Sequence, residues 1–83
     1  MRVKRDGRVV TIDLHGLYEK DAKNMLLRWL DNVPQGVDEL RIIHGWNQGT
    51  VLKDMVQKDI SVHKSVSAVL RTLNSGETRV ILK

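Results

Sequence analysis

Two strand-like runs in this chain each end in His-Gly, and the stretch between them has the period of a helix. That arrangement limits the fold more than any other feature. From Arg8 to Leu14, Val10, Ile12 and Leu14 alternate with Val9, Thr11 and Asp13, which is the period of two expected of a half-buried strand. Leu17, Ala22, Met25, Leu26, Trp29 and Leu30 then recur at steps of three and four, one apolar stripe on an α-helix. This helix should stop near Asn32, ahead of Pro34 and Gly36. At its start Tyr18 stands where a short capping side chain would be expected, and Glu19 and Asp21 supply negative charge to the first turn. Glu39 to Ile43 reads as a second strand. A helix-length connection suits a crossover rather than a hairpin, so the two strands should be parallel.

The rest of the chain extends the alternation. A second helix is expected from Gln48 to Ile60, with Val51, Leu52, Met55, Val56 and Ile60 on its buried stripe. Ser65 to Thr72 reads as a strand with Val66, Ala68 and Leu70 on one face, and Asn74-Ser75-Gly76 is a turn before a last strand, Thr78 to Leu82. The order β-α-β-α-β-β predicts an α/β fold, a two-layer sandwich with a mixed four-stranded sheet. Eighty-three residues make one small domain, here assigned to residues 8–83, with residues 1–7 as a basic N-terminal tail carrying Arg2, Lys4 and Arg5. A chain of this length builds shallow sites from loops at the edge of one sheet rather than enclosed cavities.

Composition narrows the partners. No cysteine is present, which removes disulfides and thiolate metal sites and suits a reducing cytoplasm. No apolar run approaches the length of a signal peptide core or a membrane span, so no membrane partner is expected. Fourteen Lys and Arg against ten Asp and Glu leave a formal charge of +4, an excess that favours polyanions.

In parallel βα units the loops leaving the strand ends gather at one edge of the sheet, where ligands commonly bind. His15 and His44 each close such a strand and should therefore meet there, with Gly16 and Gly45 turning the backbone into the following helix. Asp13 and His15, two positions apart on a strand, lean to one face away from Ile12 and Leu14. A carboxylate beside an imidazole prepares a general acid or base near neutral pH, and it also supplies part of an oxygen and nitrogen metal site. The structural alternative has Asp13 accepting backbone N–H groups at the helix start while His15 packs in the turn, and spacing alone favours that alternative. His44-Gly45-Trp46-Asn47-Gln48-Gly49-Thr50 leads into the second helix, so its N–H donors could receive a phosphate, though an ordinary strand-to-helix loop has the same pattern. Trp46 could stack on an unpaired base or cover the core edge. Trp29 belongs to the core stripe, and His63 has no partner suggested by spacing.

These residues resemble the small MutS-related domain, Smr, over roughly residues 8 to 83. Ile12-Asp13-Leu14-His15-Gly16 looks like the family's Leu-Asp-Leu-His-Gly motif, and His44-Gly45 with Gly49 looks like its His-Gly-x-Gly-x-Gly loop. The chain departs from that loop at Asn47, which stands in place of the middle glycine. The resemblance implies a fold similar to the C-terminal domain of bacterial translation initiation factor three. It implies nucleic-acid binding, to DNA or RNA, and endonuclease activity, with catalytic roles for Asp13, His15 and His44. Gly16, Gly45, Trp46, Asn47, Gly49 and Thr50 would contact substrate, with Arg8 and Arg41 supplying charge. Whether a divalent ion such as magnesium or manganese, held by Asp13, shares the work is left open, as is the oligomeric state. The alternatives are a non-catalytic binding module, with Arg8, Arg41, Arg71 and Arg79 on an open sheet face, and a protein-interaction domain whose His-Gly turns are structural. No Walker-type phosphate loop is present, so ATP-driven repair is not a function of this chain.

Overall fold

The computed structural model describes residues 2–45, 50–73 and 76–83. Five strands form one sheet in the order β1-β2-β3-β5-β4: β1 (Arg2–Asp6), β2 (Val9–Asp13), β3 (Glu39–Ile43), β4 (Val66–Arg71) and β5 (Glu77–Leu82). Strands β2 and β3 are parallel, as the crossover requires, and the other neighbouring pairs are antiparallel. The α/β class and the mixed sheet agree with the sequence reading, but the strand number does not. Arg2–Asp6, taken as tail, pairs with β2 from Arg2 opposite Asp13 to Asp6 opposite Val9. All five of its residues are exposed, so no hydrophobic periodicity marks it. The intervening Gly7, at φ 62°, makes the hairpin turn. The charged outer strand also blocks an edge that would otherwise invite pairing with another chain.

Helix α1 (Glu19–Asp31) buries Ala22, Leu26 and Leu30, with Trp29 packed against their margin. Tyr18 is its N-cap and makes no side-chain capping bond, which forgoes about 1 kcal/mol relative to Ser or Asp. At the other end the Asn32 N–H donates to the Trp29 carbonyl and its side-chain amide to that of Arg28. Helix α2 (Val51–Met55) continues into a π-helical turn, Val56–Ile60. The Ser61 hydroxyl donates to the Gln57 carbonyl at 2.6 Å and lies 3.2 Å from that of Lys58, satisfying acceptors at the end of the turn. Leu52, Met55, Val56 and Ile60 are buried as expected, whereas Val51 is 48% exposed. The expected start of this helix at Gln48 lies outside the described residues.

Both helices cover one face of the sheet, where they enclose Val10, Ile12, Leu40, Ile42, Val80 and Leu82. Each fully buried Leu or Ile in this layer contributes about 1.5–3 kcal/mol. The opposite face is open. Register places Lys4, Thr11, Arg41 and Arg79 in one row across it, between Val9, Glu39 and Ile81 on one side and Asp13, Ile43 and Glu77 on the other. The strand expected to alternate Val66, Ala68 and Leu70 on one face instead carries a bulge. Val66 faces Leu82 while Ala68 faces Ile81, so Ser67 is the extra residue. The bulge switches the alternation, which turns Val69 toward Val80 and leaves Leu70 41% exposed.

Candidate nucleic-acid site

Strands β2 and β3 end side by side, with Asp13 opposite Ile43 and the Leu14 N–H bonded to the Ile43 carbonyl at 2.8 Å. Beyond that bond each chain turns through its His-Gly pair. Gly16 (φ 85°) and Gly45 (φ 68°) both occupy the left-handed region, which explains the glycine in each pair. The turns touch: a Cβ built on Gly45 would stand 3.2 Å from Cδ2 of His15. The exposed His15 ring thus lies over a glycine that leaves room for it. Asp13 acts on the same turn through the backbone, its Oδ1 accepting the His15 N–H at 2.9 Å. The structural alternative expected Asp13 to accept N–H groups at the helix start; the donor is instead the His15 N–H, four residues before α1, and the bond fixes where the histidine leaves the strand.

His44 is placed differently. It is 4% exposed, and its ring lies among buried groups. Its Nδ1 is 3.0 Å from the Gly45 carbonyl and its Nε2 2.9 Å from Oγ1 of Thr78. A carbonyl only accepts, so Nδ1 carries a proton, and in the neutral tautomer Nε2 accepts the threonine O–H. The backbone N–H groups of His44 and Gly45 both donate to the Gly76 carbonyl, at 2.9 and 3.0 Å. The Gly45 amide, expected to face a phosphate, is therefore engaged within the fold. Thr78 and Gly76 are the residues of this region that sequence reasoning missed. A sign of Thr78 was available, since it occupies the core-facing register of Val80 and Leu82.

The charged residues assigned to substrate also separate. Arg8 lies at the opposite end of β2 from Asp13, and its Nε bonds Oδ2 of Asp38 at 2.6 Å. Arg41 lies on the open face, where its Nε is 2.8 Å from Oε2 of Glu39 while Nη2 of Arg79 is 2.7 Å from Oε1. These two guanidinium groups, Arg79 first, hold the Glu39 carboxyl below its ordinary value, and Glu39 in turn raises Arg79. Thr50, the residue before α2, donates its hydroxyl to Oδ2 of Asp54 at 3.0 Å. Trp46, Asn47 and Gly49 lie outside the described residues. His63 joins the end of α1 to the approach to β4: its Nδ1 accepts the Ser65 N–H, leaving Nε2 to donate to Asp31 at 2.8 Å. Among the described residues no three His, Asp or Glu side chains converge as metal ligands, and no helix is long and apolar enough to cross a membrane.

One edge of the sheet therefore presents an exposed imidazole on a carboxylate-anchored turn, packed on a neighbouring His-Gly turn. Among solved structures the fold is similar to the Smr domain of Thermus thermophilus MutS2, at 23% identity and a TM-score of 0.78 over 88% of this chain and 96% of that one. No curated protein sequence matches significantly. The family model of the Smr domain matches residues 12–83, from the strand that carries Asp13 to the end of the chain, and on that match the chain belongs to the Smr domain family.

Proposed function

We propose that this chain binds nucleic acid at the edge formed by residues 13 to 18 and 44 to 50 and cleaves a phosphodiester there, acting as an endonuclease. The packing of the exposed His15 ring on Gly45 carries this reading, because it puts one titratable ring at the meeting point of both motif turns. In this mechanism water attacks phosphorus and the bond to the leaving oxygen breaks. His15 accepts a proton from the water or donates one to the departing oxygen. Asp13 holds the turn through the His15 N–H, and were a magnesium or manganese ion used its carboxylate would hold it, the ion polarising the phosphate. His44 is a positioning residue, since its ring bonds Thr78 and the Gly45 carbonyl. The decisive assay is nicking of supercoiled plasmid and cleavage of structured RNA, with and without magnesium or manganese. His15→Ala should lose ~10²–10⁴ in rate, and Asp13→Asn should reduce it, with nucleic-acid affinity largely kept. Wild-type rates in the Asp13→Asn, His15→Ala double variant would sink the assignment.

A second reading, a non-catalytic binding module, is favoured by the row Lys4, Thr11, Arg41 and Arg79 on the open sheet face. It predicts binding without any cut product. Charge reversal at Lys4 and Arg79 would then cost more affinity than changes at the His-Gly edge.

A further inference from the structure

The turn that presents His15 also presents an aromatic side chain that the fold does not use. Tyr18 follows Gly16 and Leu17 and is 82% exposed. The Leu17 N–H closes back on the Leu14 carbonyl at 2.9 Å, so Tyr18 emerges within three residues of His15 on a tight turn. At this position a Ser, Thr or Asp would cap α1, yet Tyr18 makes no capping bond. A groove of about 360 Å³ lined by Leu17, Asp21, Asn24, Met25 and Arg28 runs along α1 from the residue that precedes Tyr18. An exposed ring, a groove next along the chain lined by both apolar and hydrogen-bonding side chains, and a nearby imidazole suit a flat heteroaromatic group joined to a phosphodiester.

We infer that Tyr18 and the Leu17 to Arg28 groove form a nucleobase site, in which Tyr18 stacks on an unpaired base next to the phosphate at His15. The inference rests on the functional reading above and refines it, since a stacked base must leave its pair and the preferred substrate is then single-stranded or locally unpaired. Stacking on an aromatic face tolerates any base, so the site selects strandedness rather than sequence.

The test uses the full chain with a short single-stranded oligothymidylate, the same strand made with abasic residues, and a hairpin duplex. Tyr18→Ala should weaken binding to the base-bearing strand by roughly 5- to 100-fold. The loss on the abasic strand and on the duplex should be much smaller than on the base-bearing strand, and Tyr18→Phe should retain most of the affinity. The side chain is exposed, so circular dichroism of both variants should match the wild type. Equal binding of Tyr18→Ala and wild type to the base-bearing strand overturns the base site, as does an equal loss on the abasic strand. If the wild type binds none of the three ligands better than a charge-matched control protein, nucleic-acid binding itself fails, and the base site falls with it.

Discussion

Replacing Thr78 by Val tests whether the buried histidine belongs to the fold or to the chemistry. Valine keeps the shape of threonine but cannot bond Nε2 of His44. The two groups are 1% and 4% exposed and 2.9 Å apart, so water has no route to replace the lost bond. An acceptor orphaned in such a setting costs about 1–3 kcal/mol. For a domain of this size each kcal/mol lowers Tm by roughly 4–8 °C, so a loss of at least 4 °C is expected by calorimetry or thermal circular dichroism. Adding His44→Leu removes the orphaned Nε2 but also leaves the Gly45 carbonyl without its Nδ1 donor, so only part of that loss should return. Cleavage by Thr78→Val, assayed well below its Tm, should stay within a few-fold of wild type, in contrast to His15→Ala. Two results refute the reasoning. An unchanged Tm means that the bond does not stabilise the fold, and a catalytic loss as large as that of His15→Ala in a folded protein means that His44 takes part in the reaction.

The other expectations concern the turn, the open face and the charge. Gly45→Val should disturb the His15 packing and strain a backbone at φ 68°, lowering Tm and weakening both cleavage and binding; a variant with wild-type Tm and activity would show that the contact is dispensable. Because Arg79 and Arg41 depress the folded-state value of Glu39, its contribution to stability is present above the ordinary glutamate range and is lost as pH falls through the depressed value. Glu39→Gln should therefore reduce stability at neutral pH and flatten the acid limb of a denaturation-versus-pH curve, and an unchanged acid limb counts against the triad. Nucleic-acid affinity should fall with salt at a log–log slope of roughly −3 to −4, measured by fluorescence anisotropy, whereas a flat dependence points to a protein partner.

The helices, the parallel strand pair and the meeting of the two His-Gly turns were legible in the sequence because each follows from periodicity and chain connectivity. A period of two, then of three to four, then of two again, with a helix-length crossover, makes β2 and β3 parallel and so ends both at one edge of the sheet. Two local features escaped that logic. Strand β1 buries nothing, so its Arg2–Asp6 segment carries no periodic signal and is held by a backbone ladder to β2. The bulge at Ser67 depends on the register of β5, which the β4 sequence does not contain. The separate fates of the three histidines were decided by tertiary structure alone. Both His15 and His44 precede glycine at a strand end, and spacing adds only that Asp13 stands two residues before His15 while Ile42 stands two before His44. Their burial is set by a third neighbour: β5 brings Thr78 to the His44 ring and Gly76 to its backbone, while His15 stays exposed with its ring against Gly45. A side chain's burial is set by the segments that fold over it, and those segments lie far along the chain.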